Sequence, residues 1–243
     1  MSYLVTGATG AVGRHLVDQL LSAGADVRAL TRSPESAGLP GAVELVTGDL
    51  TSPDPLPPRC FDGVRGVFVF PAEGGVDRFV PQAAAAGVAH FVVLSSLAAA
   101  VEHERDRGSV SQVHHTAVEE AVAATGVSAT ILRPGTFANN LLAWAQPIRF
   151  TGGVQGPYPR SAQAPIHEAD VAAVAAAALL EPGHTGRTYA MTGPQALTRI
   201  EQLDAIGAAI GRSLTFEEIT PDAFRAAMAQ YLPRAIIDML LDY

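Results

Sequence analysis

Apolar and polar positions change period along this chain in a regular order. Tyr3-Leu4-Val5 is a short apolar run, and after a glycine turn Val12, Leu16, Val17, Leu20 and Leu21 fall on one helical face. Gly24 is the expected stop of that helix. Apolar runs of strand length recur at residues 26–30, 43–46, 66–70, 90–94 and 128–132. Helical patterns separate the later ones, at 76–86 before Gly87 and at 113–125 before Gly126. The run at 90–94 is apolar without interruption, as in a strand buried on both faces. Strand alternating with helix in this way predicts an α/β fold with a doubly wound parallel sheet, the Rossmann arrangement.

Beyond residue 135 the pattern loosens. A short helix is expected over 136–145, carrying Phe137, Asn139, Asn140 and Trp144, and a Gly/Pro loop over 152–165. Ile166-His167-Glu168-Ala169-Asp170 leads into an Ala-rich buried helix, then come a strand at 188–192 and a helix at 198–210 closed by Gly211. The tail, 215–243, reads as a short strand and two helices. We expect one compact unit, in which 1–135 form the dinucleotide-binding core. Residues 136–243 supply the remaining core elements and a small C-terminal substrate-capping lobe.

Candidate chemistry begins at the first turn. Val5-Thr6-Gly7-Ala8-Thr9-Gly10-Ala11-Val12-Gly13 places glycines three apart between a strand and a helix. The first allows the tight turn, the second lets a pyrophosphate approach the backbone, and the third lets the helix pack closely. The helix N-terminus adds free N–H groups and a positive dipole end. The spacing is Gly-x-x-Gly-x-x-Gly rather than the standard Gly-x-Gly-x-x-Gly. Gly7, Thr9, Gly10, Ala11, Val12 and Gly13 are therefore the expected pyrophosphate cradle.

Strand ends extend the site. The second strand closes in Thr31-Arg32-Ser33, where an NAD-binding unit carries Asp or Glu. A guanidinium there suits a 2′-phosphate, so NADP(H) is the expected cofactor; a merely solvated arginine is the competing reading. Asp49, beside Leu50, is placed to accept from an adenine amino group or to cap a helix. Phe70 and Pro71 end the fourth strand near the cofactor, and Ser95-Ser96 end the fifth, with a hydroxyl expected beside the nicotinamide. The loop over 98–111 contains Glu102-His103-Glu104-Arg105-Asp106-Arg107, whose alternating signs favour a solvated, mobile segment over metal ligands.

Composition narrows the function. Across 243 residues, 48% are hydrophobic and 16% charged, as in a well-buried globular protein. A net charge of −8 argues against a nucleic-acid or anionic-membrane surface. All 16 basic residues are arginine, which excludes any mechanism requiring lysine. Cys60 is the only cysteine, so no intrachain disulfide forms, and a reducing, cytoplasmic setting is expected. The apolar run at 171–180 is too short to span a membrane.

Taken together, TGATGAVG, VTGDL, VVLSS, HHTAVEEAVAATGVSATILRPGTF-NN, PIHEADVAAVAAAAL and TGPQALT resemble the NmrA-like atypical short-chain dehydrogenase/reductases. The resemblance implies NADP(H) binding, with Pro134 of the RPG stretch near the cofactor, and membership of a group of quinone reductases, aromatic-tailoring enzymes and redox sensors. Its members often have a longer C-terminal extension, so the lobe here is expected to be small or completed by a partner copy in a homo-oligomer. Tyr-using relatives place Tyr four residues before Lys on the helix after the fifth strand; the corresponding pair here is His115 and Glu119. His115 then either contacts the cofactor or donates a proton near neutral pH. The candidate catalytic residues are His115, Ser95 and Asn139. The expected function is an NADPH-dependent oxidoreductase of a small aromatic ketone or quinone, of reductase or oxygenase type. The alternative is a non-enzymatic NADP(H) sensor that binds a regulatory protein.

Overall fold

A computed structural model describes residues 2–242. In chain order, β1 (Ser2–Val5) leads to α1 (Ala11–Ser22), β2 (Asp26–Thr31), β3 (Glu44–Thr47) and β4 (Val64–Val69). Next come α2 (Val76–Ala85), β5 (His90–Leu94), α3 (Val110–Ala123) and β6 (Ser128–Pro134). The second half contains α4 (Ala145–Thr151), β7 (Gly153–Gly156), β8 (Ala162–Gln163), α5 (Glu168–Leu180) and β9 (Thr188–Met191). It finishes with β10 (Leu197–Thr198), α6 (Arg199–Ile210), β11 (Thr215–Glu218), α7 (Pro221–Met228) and α8 (Arg234–Asp242).

Seven strands form one sheet in the order β3-β2-β1-β4-β5-β6-β9, and every neighbouring pair is parallel. Because parallel neighbours need crossovers, helices cover both faces. On one face α1 buries Val12, Leu16, Val17 and Leu20 against the sheet and α5. On the other, α2 buries Phe79, Val80 and Ala83, joined by Val118 and Val122 of α3. The strand order reverses between β1 and β4, which opens the crevice where ligands bind in sheets of this kind. Thr6 fixes that crevice from within: its buried hydroxyl donates to Phe68 O at 2.8 Å and accepts from Phe70 N–H at 2.7 Å.

The doubly wound α/β expectation agrees with the sheet, but three local expectations need correction. Residues 152–165 are not simply a loop. β7 pairs in parallel with β11, and β8 pairs antiparallel with β10, so two short ribbons lie where the glycines and prolines suggested coil. Their pairings are long-range, which local composition does not encode. The segment 98–111 is not open coil either: 3₁₀ turns occupy Leu97–Ala100 and Glu104–Asp106, Asp106 is buried, and α3 starts three residues before the expected 113. Ser109 sets that start by accepting from Gln112 N–H at 3.1 Å. Finally, 136–145 forms a 3₁₀ stretch, Ala138–Trp144, running into α4. The tail forms β11, α7 and α8 as far as Asp242; Tyr243 lies outside the described residues.

The C-terminal elements carry a small core of their own, Ile148, Val154 and Leu203 with Trp144, Ile206, Leu214 and Phe216 packed around them. Trp144 meets Phe216 edge-on with ring centroids 6.3 Å apart. No described helix is long and apolar enough to cross a membrane.

Candidate active site

Two adjoining cavities open along the crevice. The larger, about 470 Å³, runs from Gly7 and Thr9 past Arg32 and Ser33 to Asp49, Leu50 and Phe70. The smaller, about 140 Å³, is almost wholly apolar and touches Gly7, Gly10, Ala11, Val12, Gly13 and Phe70 before reaching Leu94, Phe137, Asn139 and Glu168. Gly7 and Phe70 line both, so the two form a bent trough over the glycine turn.

Each glycine has a distinct geometric reason. Gly7 has φ +63°, and a Cβ there would sit 2.7 Å from the Phe70 ring, so both conformation and space require glycine. A Cβ on Gly13 would lie 2.2 Å from Gly7 O, because α1 packs directly on the turn. At Gly10 the same atom would meet only Gly7 O, at 3.2 Å, and is otherwise free. Gly10 is also the N-cap of α1 and offers no side-chain acceptor, so the first-turn N–H groups remain available. An open glycine at an uncapped helix N-terminus fits an anionic group such as a pyrophosphate.

Arg14, which was not singled out from the sequence, braces this trough. Its Nε donates to Thr9 O at 3.0 Å, and its terminal nitrogens donate to Gly38 O and Ala37 O, both at 2.8 Å. One guanidinium thus ties the glycine turn to the loop after Arg32. At the far end, Asp49 caps no helix. Its Oδ1 accepts from Thr51 N–H (2.9 Å) and Thr51 hydroxyl (2.8 Å), which, with the charge of Arg32, hold its carboxyl below the usual range.

Around the end of β5 and the facing side of α3 two expectations are corrected. Ser95 is only 2% exposed and lines neither cavity; its hydroxyl donates to Glu119 Oε1. Glu119 is in turn held in a fork by Arg133, with Nε at 2.9 Å and Nη2 at 2.6 Å. Burial raises the Glu119 carboxyl, but the bonds from Arg133 and Ser95 and the Arg133 charge bring it below the usual range. Glu119 is therefore an anion already neutralised within the protein. His115 is the second correction. Burial, reinforced by the charge of His114, pushes its imidazole down to about 4, and its Nδ1 is buried with no hydrogen-bond partner. The ring is neutral at pH 7 and carries no imidazolium proton to give.

Pro71, Pro134 and His115 line neither cavity. Pro71 contributes its carbonyl to His114 Nε2 at 2.9 Å, linking the end of β4 to α3, and Pro134 is buried beside Met191 in the β6–β9 pair. Asn139 does line the smaller cavity, and its backbone N–H donates to Glu168 at 2.9 Å. Glu168 and Arg133 carry no signal in hydrophobic periodicity. A carboxylate at the head of a buried Ala-rich helix is the signal that could have found the first.

Residues 7–182 match the sequence profile described as NAD(P)H-binding. The chain belongs to this NAD(P)H-binding family. Among its relatives is the (4-alkanoyl-5-oxo-2,5-dihydrofuran-3-yl)methyl phosphate reductase of Streptomyces griseus, 43% identical over 95% of this chain and 82% of that protein. The NAD(P)H azoreductase of Xenophilus azovorans is 34% identical over 98% of this chain and 84% of its own length. Among solved structures, the NADPH-dependent quinone oxidoreductase of Escherichia coli complexed with NADPH superposes with a TM-score of 0.80 at 25% identity, covering 99% and 87% of the two chains. This NAD(P)H-binding protein is an NAD(P)H-dependent oxidoreductase. Its cradle at Gly7, Gly10 and Gly13 fits that cofactor, and among the described residues no cluster of His, Cys, Asp and Glu could hold a metal ion.

Proposed function

We propose that this protein uses NADPH to reduce a small conjugated acceptor of the quinone type. When bound, the nicotinamide supplies hydride to the substrate. The observation that carries the reading is the state of the pair on α3: His115 is neutral, and Glu119 is locked to Arg133 and Ser95. Neither group supplies an acid at neutral pH. A simple ketone forms an alkoxide on taking hydride and needs a proton as it forms. A hydroquinone anion spreads its charge over an aromatic ring and takes its proton from water afterwards. The relatives named for a quinone, an azo compound and an unsaturated furanone all reduce conjugated acceptors, which supports the same class here.

The chain's own residues bind and orient. Gly10 and the N-terminus of α1 receive the pyrophosphate, Arg32 and Ser33 the 2′-phosphate, and Asp49 and Leu50 flank the adenine. Apolar Leu94, Phe137 and Phe70 form the wall against which a flat acceptor stacks near the nicotinamide. Asn139 sits on the same wall, where it orients the acceptor.

The test is an NADPH-oxidation assay with naphthoquinones, enones and aryl ketones side by side. Quinones are expected to turn over fastest and aryl ketones at least about a hundredfold more slowly, the usual contribution of a missing general acid. Aryl ketones reduced as fast as quinones would overturn the proposal.

A further inference from the structure

Glu168 is a buried carboxylate with work left undone. It is 4% exposed, heads α5, and lines the smaller cavity together with Gly10 and Gly13. One oxygen, Oε1, accepts from Asn139 N–H at 2.9 Å. The other, Oε2, has no hydrogen-bond donor among the described residues. His167 Nδ1 lies 4.0 Å from it, but that nitrogen accepts from Ala169 N–H at 3.0 Å. Its lone pair is therefore occupied as an acceptor, and it gives Glu168 no proton. Oε2 is not one of the fully buried polar atoms that lack a partner, so it is open to the cavity that Glu168 lines and free to accept from a ligand there.

We infer that Glu168 Oε2 receives a hydroxyl of the nicotinamide ribose when NADPH is bound. This rests on the cofactor placement proposed above, in which the pyrophosphate lies at Gly10. The ribose is the next group along the cofactor, and the smaller cavity continues directly from the glycine turn towards Leu94 and Phe137. A phosphate cannot be the group at Oε2, because two anions would repel there. A hydroxyl is a donor with no charge, and its bond to a carboxylate is charge-assisted. Oε1 stays on Asn139 N–H, so the same side chain would couple the ribose to the stretch that carries Phe137 and Asn139 on the acceptor wall.

The test measures binding, independent of turnover. Wild type, Glu168→Ala and Glu168→Gln are titrated with NADPH, with 2′,5′-ADP and with the 3-acetylpyridine analogue of NADPH. Glu168→Ala is expected to weaken NADPH roughly tenfold, the scale of one charge-assisted hydrogen bond, and to leave 2′,5′-ADP unchanged. Glu168→Gln keeps an acceptor for Asn139 N–H and is expected to fold as wild type, with a smaller loss of NADPH affinity in the same direction. The acetylpyridine analogue keeps both ribose hydroxyls and lacks the carboxamide N–H. It should lose the same factor as NADPH in Glu168→Ala. If that variant binds the analogue as tightly as wild type does, the partner is the carboxamide and the ribose assignment is overturned. Unchanged NADPH binding in both variants, or an equal loss of 2′,5′-ADP, also overturns it. Failure of 2′,5′-ADP to bind wild type would instead remove the cofactor placement itself.

Discussion

The three glycines of the first turn are predicted to fail in different ways, and Gly13→Ala separates packing from binding. An alanine Cβ at Gly13 would stand 2.2 Å from Gly7 O and 2.7 Å from Ala8 Cα, both backbone atoms that no rotamer change can clear. Ordinary C···O contact is about 3.3 Å, so the turn must move by roughly an ångström. Overpacking of this kind costs about 1–3 kcal/mol, against which the better helix propensity of alanine returns about 1. With rigid backbone on the receiving side the upper end applies, leaving a net loss of about 2 kcal/mol. For a domain of this size that lowers Tm by roughly 4–8 °C. At Gly10 the added atom meets only Gly7 O at 3.2 Å, so Gly10→Val is expected to stay within about 1–2 kcal/mol of wild type. Its branched side chain occupies the proposed pyrophosphate position, and NADPH binding should be lost. Thermal melts with and without NADPH read both effects. If Gly13→Ala melts with wild type, the packing argument is wrong. A Gly10→Val protein that is still stabilised normally by NADPH would remove the phosphates from this turn.

Other residues make separate predictions. Arg32→Ala should weaken NADPH about tenfold or more and leave NADH unchanged in a fluorescence titration, since only the former carries a 2′-phosphate. Burial holds the folded pKa of His115 at about 4, below the ordinary histidine value of 6.5, so between those values the unfolded chain binds the extra proton. Its contribution to stability is complete above about pH 6.5 and declines as pH falls towards 4, by on the order of 3 kcal/mol in all. His115→Gln should flatten that part of a denaturation–pH profile, and an unchanged slope would refute the burial argument. Arg133→Met strands Glu119 and should cost about 2 kcal/mol in urea unfolding, with partial recovery in Arg133→Met/Glu119→Gln. Additive losses would mean that the pair is not coupled.

How far the sequence carried this reading depends on what each feature rests on. Periodicity placed the sheet strands and the α1 face, because burial of Val12, Leu16, Val17 and Leu20 is a local pattern. The glycine spacing located the turn for a similar reason: φ and close approach act on single residues. β7 and β8 were hidden in Gly/Pro composition, since their partners β11 and β10 lie more than thirty residues away. At the site, Arg32, Asp49 and Phe70 line the trough from the strand ends, and Asn139, expected on a short helix, lines it from the 3₁₀ stretch after β6. Ser95 and His115 did not behave as free chemical groups, because side-chain partners and desolvation belong to tertiary packing. The Glu119–Arg133 fork joins α3 to β6 and neutralises a charge that looked available in one dimension. Glu168 was passed over for the opposite reason, being a charged residue at the head of a helix that reads as core.

The central claim is hydride transfer without a side-chain acid, and single-turnover kinetics test it most directly. NADPH-loaded protein is mixed with 1,4-naphthoquinone in a stopped-flow instrument, and loss of NADPH absorbance is followed from about pH 5.5 to 8.5 for wild type and His115→Ala. The account predicts a transfer rate that is flat across this range and the same within about twofold for both proteins. A rate that rises as pH falls through the ordinary histidine range in wild type, and loses that dependence in His115→Ala, would contradict it.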